Sequence, residues 1–525
     1  MTSPFLAVED LVITTRRGHR LVDGVSFALE RGSRTGLIGE SGSGKSLTAL
    51  AVLGLLPDNL TATGRITLDG VSLTSLDDRA MCSVRGNDVS MVFQEPMTAL
   101  NPVMRVGRQV AEALVRHRGM ARGEALDRAA ELLAQVGVEG AGRRTRSFPH
   151  EMSGGERQRV MIAMAIACGP DLVIADEPTT ALDVTVQAKV LEMLSDQVRE
   201  ASTALLLITH DLPVVAGATD DVLVLRDGRL VERGPTRRVF AEPTHDHTRT
   251  LVDAVPPLSR RVEAVVPRPP PVGRPPMVTL DSVRREFPLP RTRPLGPRGS
   301  LVAVDDISLR IGVGETYGLV GESGSGKTTL ARILVGLDEP TSGAVEWPGL
   351  GGTDHRAAVQ MVFQDPMGSL DPRMRVGDVI AEPLRALGIA GDHRVRVAEL
   401  LEAVHLPADA IAKYPHEFSG GERQRIAIAR ALAPRPDVLV ADEPVSALDM
   451  SVRERTLHLL GELREEFGLT MLFIGHDLSV VHEVSDRVGV LHDGRLVEEG
   501  PADEVLRAPS EPYTRTLVEA IPRIS

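Results

Sequence analysis

The sequence predicts two successive α/β domains, each built on a mainly parallel sheet, and three observations carry that prediction. The chain repeats itself: GESGSGKS begins at Gly39 and GESGSGKT at Gly321, and SGGERQR begins at Ser153 and again at Ser419. In both halves a glycine-rich loop joins a short apolar run (TGLIG, YGLVG) to a helical pattern (SLTALAVLGLL, TTLARILVGL). Strand-length apolar runs then alternate with helix-length segments to the end of each half, which is the pattern of a parallel sheet with helices on both faces.

The elements follow in the same order twice. Each half opens with strand-like runs, LAVEDLVI and VSFALERG in the first, VTLDSVRREF and ISLRIGVG in the second. After the glycine loop and its helix comes MVFQEPM or MVFQDPM, which places Gln94 and Gln364 at strand ends. A helix-rich stretch follows, at about 95–152 and 365–418. An apolar strand (DLVIAD, DVLVAD), a helix and another strand (ALLLITH, TMLFIGH) complete the order. The two glycine loops are 282 residues apart, the glutamines 270 and the SGGERQR segments 266. The last offset holds through Asp176/Asp442, Asp183/Asp449, His210/His476, Gly228/Gly494 and Thr248/Thr514. The second half has therefore lost 12 residues between its glycine loop and its glutamine. The domain reading is 1–256, a proline-rich linker at 257–276, and 277–525. Proline in the linker favours extended polyproline II. PLPRTRPLGPRGS at 288–300 reads as a surface loop inside the opening strands of the second half.

Bulk composition narrows the function. At 42% apolar and 25% charged residues, the chain is ordinary for a globular protein. No apolar run approaches the ~20 residues that span a bilayer, and the first residues lack a basic-then-apolar leader, so a cytosolic chain is expected. A net charge of −13 argues against a nucleic-acid binder. Cys82 and Cys168 are too few for a four-cysteine zinc or iron–sulfur site and are expected to be ordinary reduced thiols. Only four of the 59 basic residues are lysines, and two of them, Lys45 and Lys327, sit in the glycine loops. There a compact ammonium on a flexible stem is what the chemistry needs.

GxxxxGK[ST] between strand and helix is a phosphate-binding loop. Gly39, Ser41, Gly42 and Gly44, and Gly321, Ser323, Gly324 and Gly326, let the backbone N–H groups converge on phosphates at a helix N-terminus. Lys45 and Lys327 are expected on the β- and γ-phosphates, Ser46 and Thr328 on Mg²⁺. Asp176–Glu177 and Asp442–Glu443 each end a buried strand, where the first acid can hold Mg²⁺ and the second can activate a water. Gln94, Gln364, His210 and His476 carry weight only because the whole set recurs.

With that set in place, the chain resembles the ATP-binding subunits of ABC transporters along essentially its whole length, twice. SGGERQ is similar to that family's signature motif. The resemblance implies a tandem P-loop NTPase fold in which each parallel core carries an antiparallel β subdomain and a helical subdomain. It implies ATP and Mg²⁺ as ligands, with Gln94 and Gln364 sensing the metal and His210 and His476 on the γ-phosphate. Asp183 and Asp449 would be D-loop residues. It also implies that Ser153, Gly154 and Gly155 complete the nucleotide site of the second half, and Ser419, Gly420 and Gly421 that of the first, within one chain. FQEPMTALNP, FQDPMGSLDP and the tails EPTHDHTRTLVDAVP and EPYTRTLVEAIP resemble the dipeptide/oligopeptide/nickel importers, the fused glutathione-type members among them. For those the resemblance implies two membrane permeases, an extracytoplasmic solute-binding protein and a peripheral place on the cytoplasmic face of the membrane. Two departures stand out. There are no C-terminal cysteines for the iron–sulfur cluster of some relatives. Where the family stacks an aromatic on adenine, this chain has Arg16, Arg17, His19 and Arg298, so adenine stacking is expected either to be weak or to be taken over by a guanidinium. The alternatives are a soluble twin-cassette protein working on ribosomes or DNA, against which the short linker and acidic charge argue, and an ABC ATPase of another transporter class.

Overall fold

The computed structural model describes residues 4–40, 42–94, 99–179, 184–253, 275–288, 299–352, 354–446, 448 and 450–521. Of the segments singled out above, Ser41, Asp183, Arg298, Asp449, most of the proline-rich linker and residues 289–298 lie outside these. The chain divides into two compact units, 1–255 and 256–521.

Each unit has a six-stranded sheet of the same order. In the first unit it runs Arg229–Pro235, Asp221–Arg226, Arg34–Ile38, Ala204–Ile208, Leu172–Asp176, Val89–Val92. All neighbours are parallel except the hairpin pair Asp221–Arg226 and Arg229–Pro235. In the second unit it runs Arg495–Pro501, Arg487–His492, Thr316–Gly321, Thr470–Ile474, Val438–Asp442, Val359–Val362, again with one antiparallel edge pair. Leu172–Asp176 and Ala204–Ile208 are buried at every position, as are Val438–Asp442 and Thr470–Ile474. A strand covered on both faces reads as a continuous apolar run, which is why DLVIAD and ALLLITH stand out in the sequence.

The opening runs form a separate antiparallel sheet. In the first unit it orders Arg20–Leu29, Leu6–Thr15, Leu60–Leu68, Val71–Ser72. The second unit has three strands, Ser300–Ile311, Val278–Pro288 and Ser342–Glu346. The 12-residue shortening falls here: among the described residues the second unit has no counterpart of Val71–Ser72, and the helix Asp78–Val84 shrinks to His355–Ala358. Pro288 pairs with Ser300 at one end of this sheet, and residues 289–298 of the surface loop expected between them lie outside the described ones.

The helix-rich stretches are compact packed subunits of each half. Val106–Arg118 and Arg122–Gln135 lie against Gly154–Ile166 through Val106, Val110, Leu114, Ala129, Leu133 and Val160. Val376–Ala386, His393–Ala403 and Gly420–Leu432 repeat the arrangement. Cys168 is buried, Cys82 partly so, and both are free thiols.

The halves solve one electrostatic problem differently. Asp220 and its counterpart Asp486 both lie beside the strand that enters the glycine loop. In the first unit Asp220 accepts two hydrogen bonds from Arg34, a partly exposed pair. In the second unit Thr316 replaces that arginine, and Arg464, on the long helix Met450–Phe467, reaches Asp486 at 2.8 Å. That pair is buried, at 3% and 4% exposure. Removing one partner of a buried pair costs ~3–5 kcal/mol, whereas exposed pairs contribute ~0–1 kcal/mol. Arg464→Met is therefore expected to move the second unit's urea midpoint well below the first's and split the unfolding curve. Arg34→Met should leave it nearly unchanged. Equal shifts for the two variants would contradict the difference in burial.

Candidate active site

The glycine loop leads from strand Arg34–Ile38 into helix Lys45–Val52. Gly44 caps that helix with φ 98°, and Gly326 does the same with φ 103°. Gly39 is needed for close approach: a Cβ there would lie 2.2 Å from the Leu225 carbonyl oxygen. Gly321 has the same 2.2 Å conflict with Leu491 O. The loop can therefore lie directly on the neighbouring strand only because these positions lack a side chain. Lys45 is nearly buried and its Nζ donates to Gly39 O and Glu40 O, both at 2.8 Å. Lys327 donates to Gly321 O and Glu322 O at the same distances. Gly42, Ser323 and Gly324 are exposed on the loop.

Two strands away, Asp176 ends Leu172–Asp176 and Asp442 ends Val438–Asp442. Both carboxyls are almost fully buried, and burial together with the adjacent Glu177 or Glu443 pushes each up to about 6, the Ser46 or Thr328 hydroxyl and the lysine opposing. Asp176 Oδ1 has no hydrogen-bond partner among the described residues. Thr328 Oγ1 donates to Asp442 Oδ1 at 3.5 Å. A buried carboxyl oxygen without a hydrogen-bond partner beside a hydroxyl is a hard oxygen set, and a hard divalent cation is the ligand that it fits.

The next residue is strained. Glu177 and Glu443 hold φ of 48° and 47°, a left-handed conformation that costs a non-glycine residue of the order of 1 kcal/mol or more. Each is held by its N–H on the neighbouring strand, Glu177 to Ile208 O at 2.8 Å and Glu443 to Ile474 O at 3.0 Å. The side chains converge with residues far away in sequence. Gln94 Nε2 donates to Glu177 Oε2 at 2.9 Å, and His210 Nδ1 lies 2.9 Å from Glu177 Oε1. Gln364 Nε2 donates to Glu443 Oε2 at 2.7 Å, and His476 Nδ1 lies 3.2 Å from the same oxygen. Burial alone would lower both imidazoles, but the hydrogen bond and charge of the glutamate outweigh it and hold them above their usual value. Burial would raise Glu443, and His476 with Lys327 and Gln364 pulls it below the usual carboxylate range. The glutamine and histidine of each half thus meet on the glutamate.

Ser153 and Ser419 start the helices Gly154–Ile166 and Gly420–Leu432 as N-caps in capping boxes. Ser153 Oγ accepts from Glu156 N–H, and Ser153 N–H donates to Glu156 Oε2 at 2.9 Å. The S-x-x-E spacing of SGGE is the signal of this capping box in the sequence. Ser153, Gly154, Ser419 and Gly420 are exposed, Gly155 is partly so, and Gly421 is buried against Val452, which a Cβ would strike at 2.3 Å. Arg16 and Arg17 are exposed at the end of Leu6–Thr15, where Arg16 Nη2 donates to Asp58 O. Asp183 and Asp449 lie outside the described residues.

The tails form helices Asp246–Asp253 and Pro512–Glu519. Each is seated by a glutamate on the edge hairpin. Glu232 accepts from Thr244 N, Thr244 Oγ1 and His245 N. Burial would raise it, but hydrogen bonding by the Thr248 side chain first, then by Thr244 and His245, brings it down to about 2. Glu498 accepts from Ser510 N, Ser510 Oγ and Glu511 N.

Comparison with known proteins supplies the family. The chain matches the ABC transporter family over residues 22–180 and 304–446. It matches the oligopeptide/dipeptide transporter C-terminal region over 231–276 and 497–525. It is 44% identical over 535 residues to the peptidoglycan transport ATP-binding protein YejF of Agrobacterium fabrum, covering 99% of this chain and 96% of that one. It is 43% identical over 558 residues to the glutathione import ATP-binding protein GsiA of Escherichia coli K12, covering 98% and 89%. No helix among the described residues is long and apolar enough to cross a membrane. The chain belongs to the ABC transporter family and is an ATPase made of two ATP-binding cassettes, each followed by an oligopeptide/dipeptide-type C-terminal region.

Proposed function

We propose that this chain hydrolyses ATP at two sites to drive an importer of peptides or similar small solutes. The membrane-spanning work falls to two separate permease subunits, supplied by an extracytoplasmic solute-binding protein, with this chain peripheral on the cytoplasmic face. The observation that carries the importer reading is the oligopeptide/dipeptide C-terminal region, present after both cassettes. The two relatives act in peptidoglycan transport and glutathione import, which keeps the solute among peptide-like molecules.

In each half the loop N–H groups and Lys45 or Lys327 bind the β- and γ-phosphates. Ser46 with Asp176, and Thr328 with Asp442, would hold Mg²⁺, which supplies charge neutralisation on the phosphates. Glu177 and Glu443 take the proton of the attacking water. Both oxygens of Glu177 already accept a hydrogen bond, but a carboxylate oxygen has a second lone pair free for the water. Gln94 and His210 fix the direction of that lone pair, so they are positioning residues. Ser153 to Gly155 and Ser419 to Gly421 are proposed to complete the γ-phosphate sites, as helix N-termini suited to an anion. ATP would favour the closed state of the two cassettes, and hydrolysis would remove that preference.

A general base contributes ~10²–10⁴-fold. Glu177→Gln and Glu443→Gln are each expected to lower phosphate release strongly, and the double variant by about 100-fold or more. Full activity of Glu177→Gln would show that the first site is degenerate.

The helical region of the first half has a cavity of about 960 Å³, lined by Asn101, Val103, Arg105 and Arg108 among others. The second half carries Asp371, Arg373 and Asp378 at the positions of Asn101, Val103 and Arg108, and Asp378 pairs with Arg385 on the surface. The two halves thus differ in charge at all three positions and in sign at Arg108 and Asp378, where a partner is proposed to dock, which suits two different permeases. Co-purification of the chain carrying Arg108→Asp with Asp378→Arg should lose the permease pair. Unchanged assembly and unchanged transport-coupled ATPase activity would rule out this discrimination.

A further inference from the structure

The C-terminal tail does more than cover the edge of each cassette. In the second half its helix brings Tyr513 to the glycine loop, where the Glu322 N–H donates to the Tyr513 hydroxyl at 3.3 Å. The same residue's carbonyl, with that of Gly321, accepts the Lys327 ammonium. One tail side chain therefore holds the peptide group on which the phosphate-binding lysine rests. The tyrosine is itself fixed from two sides. His492 stacks on its ring with centroids 3.8 Å apart, and Glu498 anchors the start of the tail through three hydrogen bonds.

The first half keeps the anchor and changes the contact. Glu232 seats the tail as Glu498 does, but His247 stands where Tyr513 does and Arg226 where His492 does. His247 is 5% exposed, and its Nε2 has no hydrogen-bond partner among the described residues. Burial pushes this imidazole below its usual range, with Arg226 and His245 acting the same way and Glu40 and Asp227 opposing. A shorter, neutral ring occupies the place without taking hold of the loop.

We propose that the oligopeptide-type tail is a positioning element for the phosphate loop of its own cassette, acting through the Tyr513 hydroxyl in the second half and weakened by His247 in the first, so that the two ATP sites differ in nucleotide affinity. The proposal rests on both loops being nucleotide sites. It differs from a purely packing role for the tail in one respect: Tyr513→Phe keeps the ring and the His492 stack and removes the hydroxyl that meets the loop. One neutral hydrogen bond corresponds to about three- to tenfold in affinity.

The test uses the full chain with Glu177→Gln and Glu443→Gln, so that nucleotide is bound and not turned over. Lys45→Ala is added to report the second site, or Lys327→Ala to report the first. Binding of a fluorescent N-methylanthraniloyl ATP is titrated. Tyr513→Phe should weaken binding about three- to tenfold in the Lys45→Ala background, change nothing in the Lys327→Ala background, and leave the melting temperature in place. His247→Tyr should tighten the first site. Unchanged affinity on Tyr513→Phe, or a loss that comes with a lower melting temperature, would overturn the proposal. No binding in any background would strike instead at the assignment of the loops.

Discussion

A buried carboxylate is the constraint around which each cassette is arranged. Asp176 and Asp442 are taken almost wholly out of water at the end of a central parallel strand, where an acid is expensive unless something answers its charge. The sheet order supplies the answer. The strand bearing the acid and the strand entering the glycine loop are separated by one strand, so the lysine, the Ser46 or Thr328 hydroxyl and the acid face the same space beyond the strand ends. That is the place where open α/β sheets bind their ligands. The glycine loop can reach it because Gly39 and Gly321 lie against the carbonyls of Leu225 and Leu491 with no room for a side chain.

The same constraint explains the strain one residue later. A left-handed φ at Glu177 and Glu443 turns the chain off the strand end, so that the second acid points at the glutamine and histidine and the first stays buried. Glutamine, glutamate and histidine then make one hydrogen-bonded group, assembled from three separate strand ends. Its charge pattern pairs a carboxylate with an imidazole held toward its charged form. In the proposed mechanism this group orients the attacking water, and its hydrogen bonds are already in place before the reaction.

Much of this was readable in the sequence. The offset of 266 residues named both acids and both histidines, and the glycine loops announced the ligand class. The opening strands and the helix-rich stretches were visible as runs, but their grouping into an antiparallel sheet and a separate helical region came only through the family resemblance, since short strands such as Val71–Ser72 carry no periodicity. The glutamate hydrogen bonds were not legible, because Gln94 and Glu177 are 83 residues apart and only the fold brings them together. The expectation of Gln94 on metal and His210 on phosphate said nothing of their contact with each other's partner. The tail contact was still further from view: Tyr513 lies 191 residues beyond Glu322. The charge exchange between Arg34 and Arg464 was likewise hidden, since the arginine moves to a different element while the aspartate stays.

Repetition with small departures is the theme of the molecule. The halves share every strand of the parallel sheet and differ in the edge of the antiparallel one, in the arginine that pairs with Asp220 or Asp486, and in whether a tail side chain bonds to the loop. The central claim is that both halves are nonetheless complete nucleotide sites. Native mass spectrometry of the chain carrying Glu177→Gln and Glu443→Gln, with saturating ATP and Mg²⁺, tests it most directly. Two ATP molecules per chain are expected, falling to one on Lys45→Ala or Lys327→Ala. A single ATP per chain at saturation would contradict it.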